Sequence, residues 1–85
     1  MNAIETLDIV VRALAVEAGV PERSIDTGKP LSAVPGIESV KALRAITSIE
    51  DQCAVVIPDD FLFETATVRE LAEFVSSLER EDHAA

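Results

Sequence analysis

The residue types that most often perform covalent or acid–base chemistry are scarce in this chain. Its 85 residues include one cysteine, Cys53, and one histidine, His83, which stands in a polar terminal stretch. A nucleophile and its base must lie within hydrogen-bond reach of each other, and a lone histidine in a fraying segment cannot meet that condition. A single cysteine also excludes an internal disulfide and a cysteine-based metal site. We therefore expect no catalytic residues and no metal ligands.

Two pairs of adjacent acids, Glu50-Asp51 and Asp59-Asp60, are the remaining groups that could act as acid and base or bind a cation. Neither pair has the spacing of a calcium-binding loop. Adjacent acids on a loop or on the solvent face of a helix are usually surface charges. We assign no catalysis to them, and the sequence predicts a protein that is not an enzyme.

Ser39 is the one hydroxyl whose surroundings favour a particular chemistry. It follows a segment rich in proline and glycine and precedes a helical pattern, so it is expected in the first turn of a helix. The unpaired backbone amides and the positive end of the helix dipole at that position stabilise a negatively charged substituent such as a phosphodiester. An ordinary N-cap serine would occupy the same position, so Ser39 alone does not decide between a modification site and a cap.

Two amphipathic helices and a long connection determine where Ser39 lies. Apolar residues three and four apart predict a first helix over 3–18, which Gly19 and Pro21 end. Residues 19–37 hold all three glycines and three of the four prolines, which predicts a long ordered loop. The helical period then returns over 39–54. The residues expected in the core are Ile4, Leu7, Val11, Leu14 and Ala18 of the first helix, Ile25, Leu31 and Val34 of the loop, and Val40, Leu43, Ile46, either Ile49 or Glu50, and Cys53 of the second helix.

The rest of the chain completes an all-α fold. A short third helix is expected within 59–66, and a capping box at Thr67 and Glu70 opens the last helix over 67–79. Residues 80–85 form a polar tail that should fray. The prediction is one domain, residues 1–85 with its core over about 3–79, in which three main helices and one short helix form a bundle with a long first connection.

The charge of the chain restricts its partners. Sixteen acids against seven bases give a formal net charge of −9, which disfavours nucleic acid as a partner. No stretch reaches the roughly 20 apolar residues of a membrane span, and a single unpaired cysteine suits a reducing cytoplasm. We expect a cytoplasmic monomer that meets other proteins.

Three segments taken together resemble the acyl and peptidyl carrier protein family over about residues 4–79. They are residues 31–40, which include Ser39, then 56–60 and 62–72. In that family a Gly-x-Asp-Ser-Leu segment opens the second helix, and its serine receives 4′-phosphopantetheine from coenzyme A through a separate magnesium-dependent transferase. The resemblance implies that Ser39 carries this arm. It also implies that a ligase loads an acyl or aminoacyl thioester, which downstream transferases then use.

The chain departs from the family pattern around Ser39. Glu38 and Val40 replace the usual aspartate and leucine, and the basic Lys41 and Arg44 lie where fatty-acid carriers present acids, so the acidic docking face is retained only at residues 50–51. We predict a partner-docking surface of Glu38, Val40, Lys41 and Arg44. This favours a specialised acyl, polyketide or nonribosomal peptide pathway over general fatty acid synthesis. The alternative is that Lys41 and Arg44 form ion pairs with acids such as Glu38.

An apolar cleft beside the second helix could shelter a fatty cargo. The residues predicted to line it are Val40, Leu43, Ile57, Leu62 and Val68. A second hypothesis for the whole chain is an unmodified helical interaction module, in which Ser39 only caps its helix.

Overall fold

The computed structural model describes residues 3–57 and 67–84. Within these ranges there are three α-helices, two short 3-10 turns and no β-strand. The helices are α1 (Ala3–Ala18), α2 (Ser39–Cys53) and α3 (Val68–Ala84), and the 3-10 turns are Glu22–Ser24 and Leu31–Ala33. The predicted all-α, carrier-like bundle is confirmed. The short helix expected within 59–66 lies outside the described residues.

The helix bounds agree closely with the sequence pattern except at the last helix. The first helix has the predicted bounds, and α2 ends one residue early. The backbone of α3 stays helical through Ala84, five residues beyond the predicted end, where the sequence predicts a frayed tail. Fraying was predicted because residues 80–85 are polar. Glutamate and arginine are good helix formers, and no glycine or proline follows Leu78 to end the helix.

The hydrophobic core lies where α1 packs against both α2 and α3. Leu14 of α1 is fully buried, as predicted, and the other predicted residues except Ile4 are partly buried against the core. Ile4 is 74 % exposed, whereas Val10, which the predicted stripe left out, is fully buried. The buried face of α1 is therefore rotated from the predicted stripe. Because apolar residues occur almost all round α1, their spacing alone does not specify which face is buried.

The same kind of error affects α2. The predicted core residues Ile46 and Cys53 are buried, but Val40 and Leu43 are 59 % and 48 % exposed. Ala45, which the predicted stripe left out, is completely buried. The buried face of α2 therefore contains Ala45 together with Ile46, and Val40 and Leu43 lie on other faces in solvent.

The long loop between α1 and α2 is held by the residues that the sequence predicts. Ile25, Leu31 and Val34 are all buried and belong to the core cluster. The loop also contacts the start of α3, where the backbone N–H groups of Val68 and Arg69 donate to the carbonyl oxygens of Lys29 and Thr27 at 3.1 and 3.0 Å. The loop is thus an ordered part of the fold.

The capping box predicted for the last helix is present. The N–H of Thr67 donates to Oε1 of Glu70 at 2.9 Å, and the N–H of Glu70 donates to Oγ1 of Thr67 at 3.1 Å. These reciprocal bonds satisfy two amides that a helix start would otherwise leave unpaired.

Candidate functional site

Ser39 is the first residue of α2, as the sequence predicts. Glu38 is the N-cap, with extended backbone angles (φ −109°, ψ 169°) and no hydrogen bond from its side chain to the helix. Its carbonyl oxygen accepts the first helical bond, from the N–H of Ala42 at 2.8 Å. The first turn contains no acidic residue. The side chain of Glu38 therefore does not bind the amides at this helix start, and these amides together with the helix dipole favour an anionic group.

Gly36 fixes the path of the chain into α2. It has φ +83°, in the left-handed region, and a Cβ on it would lie 2.7 Å from the carbonyl oxygen of Ala18. One residue later the N–H of Ile37 donates to the carbonyl oxygen of Val34, which is buried, at 3.2 Å. The end of α1 thus packs directly against the turn that leads into α2, and this contact sets the position of Ser39 relative to the rest of the fold.

The predicted docking residues lie beside Ser39 but differ in exposure. Glu38, Val40 and Arg44 are exposed, whereas Lys41 is half-buried. Among the described side chains, neither Lys41 nor Arg44 forms an ion pair with a carboxylate, so the alternative in which they pair with Glu38 is not observed. Leu43, which was predicted to lie in the core, is exposed on the same side of α2. A sequence pattern that treats the small residue Ala45 as buried would have predicted this exposure.

The far end of α2 is organised around Glu50. Its Oε2 accepts the N–H of Ile57 at 2.7 Å, and its carbonyl oxygen accepts the N–H of Val55 at 3.2 Å. Ala54, the residue after the last residue of α2, ends the helix in the left-handed conformation, with φ 56°. Glu50 is therefore committed to holding the segment after α2. Only Asp51 of this acidic pair is exposed.

The residues predicted to line an apolar cleft do not share one environment. Ile57 and Val68 are buried in the core, whereas Val40 and Leu43 face solvent. Leu62 lies outside the described residues. A cavity of about 120 Å³ is found instead on the long loop, and none of the predicted site residues line it. The residues that surround this cavity are Ser24, Asp26, Lys29, Ala33, Val34 and Pro35.

Cys53 is buried at the end of α2, as predicted. Burial raises the pKa of its thiol, and the nearby charge of Glu79 raises it further. Because the thiolate is the reactive form, both effects make this cysteine a poor nucleophile at neutral pH. It behaves as a small apolar residue of the core.

A family model described as a phosphopantetheine attachment site matches residues 8–75, which include both Ser39 and the turn before it. The chain belongs to this family. Its domain is the place where 4′-phosphopantetheine is covalently attached, and such carriers are generally non-catalytic proteins that interact with a phosphopantetheinyl transferase and with biosynthetic enzymes. Comparison with curated proteins finds no match. None of the described helices is long and apolar enough to cross a membrane.

The start of α2 fits a serine-linked phosphodiester. Such a group needs backbone amides that are not already capped, and the first turn of α2, which contains no acid and receives no side-chain cap from Glu38, supplies them. When bound, the arm supplies a terminal thiol that forms thioesters.

Proposed function

We propose that this protein is a carrier whose Ser39 receives 4′-phosphopantetheine and which delivers an acyl or aminoacyl thioester to partner enzymes. The observation that carries the proposal is the position of Ser39 at the uncapped start of α2, within the region that the family model matches. Other described serines have no such position. Ser24 and Ser32 lie in 3-10 turns, and Ser48, Ser76 and Ser77 lie inside helices.

The modification is a substitution at phosphorus in which this chain supplies the acceptor. The Oγ of Ser39 forms a bond to the phosphorus that carries the pantetheine arm in coenzyme A, the bond to the leaving phosphate breaks, and 3′,5′-ADP departs. The hydroxyl proton goes to the base of the separate transferase. The chain contributes the position of the hydroxyl and the favourable field of the helix start, and no group of its own acts as acid or base.

The carrier function needs no catalytic residue on this chain. A flexible arm on one serine presents the thioester to successive enzymes at a high effective concentration. Cys53 supports this role because it is buried and unreactive, so the thiol of the arm would not compete with it for acyl groups. A reduced, unpaired cysteine also supports a cytoplasmic location, and a net charge of −9 favours a monomer through mutual repulsion.

The pathway we propose is a specialised acyl, polyketide or nonribosomal peptide pathway. Support comes from the two cations, Lys41 and Arg44, beside Ser39 and from the commitment of Glu50 to the segment after α2. Together these leave little of the acidic docking face typical of fatty-acid carriers. The partners are then a loading ligase and downstream transferases that accept a docking surface of Glu38, Val40, Lys41 and Arg44.

The test is incubation of the full chain with coenzyme A, Mg²⁺ and a broad-specificity phosphopantetheinyl transferase. A carrier gains the mass of one phosphopantetheinyl group and one alkylatable thiol. An unmodified interaction module keeps its original mass under conditions that convert a known carrier completely. The modified protein can then be offered panels of acyl and aminoacyl donors to identify the cargo class.

A further inference from the structure

The first two turns of α2 carry an exposed apolar pair that lies outside the hydrophobic core formed by the described residues. Val40 and Leu43 are 59 % and 48 % exposed, and residues three apart on a helix are neighbours on one face. At 1.5 Å per residue, Leu43 lies only about 6 Å along the helix from Ser39. Adjacent large apolar side chains in solvent are typical of a surface that another protein covers.

The charge next to this pair differs in sign from the charge of the whole protein. Arg44 is exposed beside Leu43, and Lys41 is half-buried beside Val40. Glu38 is the only acid between residues 37 and 49, so this segment is net positive in a chain of net charge −9. Among the described side chains neither cation pairs with a carboxylate, and Arg44 is exposed.

We propose that Val40, Leu43 and Arg44 form a docking surface for an enzyme that presents an apolar depression bordered by carboxylates. This inference rests on the proposed carrier function, because docking here would bring the arm on Ser39 to the partner's active site. The apolar pair supplies the contact area and Arg44 supplies the selectivity. A partner with a basic surface is repelled at the same place.

A charge-exchange experiment tests the proposal. The probe is a malonyl transferase of fatty acid synthesis that binds its carrier through a basic surface. It is used in two versions: the basic version is the natural enzyme, and in the acidic version the basic residues of that surface are changed to glutamate. It moves malonyl from coenzyme A to the arm thiol, so one thioester breaks, another forms and the coenzyme A thiol is released. Each variant of this chain is first converted completely to the modified form, as judged by mass, and transfer is then timed at low and high salt.

The unaltered protein should be malonylated at least about threefold faster by the acidic version of the transferase, and Arg44→Glu should reverse that order. Arg12→Glu, an equal charge change at an exposed site on α1, should leave the order unchanged. The preference should shrink at high salt. Equal effects of Arg44→Glu and Arg12→Glu, or no effect of either, would overturn the assignment of selectivity to Arg44.

The apolar part of the surface has its own matched pair. Leu43→Asn should slow transfer by both versions of the enzyme, whereas Ile4→Asn, at the far end of α1 and 74 % exposed, should not. If both variants keep the original rate, the apolar pair is not part of the surface. A failure of the carrier function itself is distinguishable, since then no variant would acquire the arm and none would accept malonyl.

Discussion

Thr6 on the first helix donates a hydrogen bond from Oγ1 to Oε1 of Glu79 on the last helix, at 2.9 Å. Both side chains are buried, with 0 % and 7 % exposure. The bond joins residues 73 positions apart, so it forms only when α1 and α3 are docked. Nearby on α3, the buried Oγ of Ser76 has no hydrogen-bond partner among the described residues.

These two hydroxyls should respond oppositely to removal. Thr6→Val keeps the side-chain shape but withdraws the donor from a buried carboxylate, and should lower the free energy of unfolding by about 1–3 kcal/mol. Ser76→Ala removes a buried polar atom that is unpaired, and should be neutral or slightly stabilising. Urea denaturation of both variants measures the difference. Similar losses in the two proteins would mean that the bond between Thr6 and Glu79 has no special weight.

The exposure of Leu43 predicts that a charge is tolerated there. Leu43→Asp should fold with a loss of less than about 1 kcal/mol, because the carboxylate stays in water. Ile49→Asp, at a completely buried position on the same helix, should unfold the protein, since an unpaired buried charge costs several kcal/mol against a small total stability. Thermal melts followed by circular dichroism compare the two. Unfolding of Leu43→Asp would show that Leu43 belongs to the core after all.

Substitution of Gly19 and of Gly36 by alanine distinguishes the cost of a left-handed backbone from the cost of a steric clash. Both have positive φ, but a Cβ on Gly19 would meet nothing within 4 Å, whereas one on Gly36 would meet the Ala18 carbonyl oxygen. Gly19→Ala should cost about 1 kcal/mol from the left-handed conformation alone. Gly36→Ala should cost clearly more, because backbone must move. Equal denaturant midpoints for the two variants would contradict the close contact between Gly36 and the carbonyl oxygen of Ala18.

Cys53 makes stability depend on alkaline pH. Because the pKa of its thiol is raised in the folded state, the unfolded chain loses this proton first as pH rises above the ordinary cysteine value of roughly 8.5. The thiol's contribution is complete below that pH and is lost as pH rises through the folded pKa, with a slope of at most about 1.4 kcal/mol per pH unit. Urea unfolding from pH 7 to 10 should show this loss in the unaltered protein and a flatter profile in Cys53→Ala. Parallel profiles would rule out the effect.

Much of the fold follows from sequence patterns because helix ends and loop anchors are local properties. The capping box at Thr67 and the glycine at 19 specify helix limits through their own backbone chemistry. Which faces of α1 and α2 are buried is not a local property, because it depends on how the helices pack against each other. Ala45 is completely buried, which no count of large apolar residues reveals, and with Ala45 on the buried face Val40 and Leu43 lie in solvent.

The site divides in the same way. The start of a helix at Ser39 follows from the Pro- and Gly-containing loop and the returning helical period, and the structure has it there. Two contacts near α2 could not be predicted from residue spacing. Gly36 packs against Ala18, 18 positions earlier in the chain, and the N–H of Ile57 donates to Glu50 across the turn that ends α2. The proposed docking residues Val40 and Arg44 were predicted from the sequence, but the exposure of Leu43 required the tertiary structure.

The most direct test of the central claim is the fate of Ser39→Ala in the phosphopantetheinyl transferase reaction. Glu38, not Ser39, is the N-cap of α2, and alanine is a good helix former, so the variant should retain its helical circular dichroism. Intact mass after incubation with coenzyme A and Mg²⁺ should then show no addition to Ser39→Ala, while the unaltered protein and the control Ser48→Ala each gain one phosphopantetheinyl group. Addition of the same group to Ser39→Ala would contradict the account and assign the attachment to another serine, such as Ser24, Ser32 or Ser48.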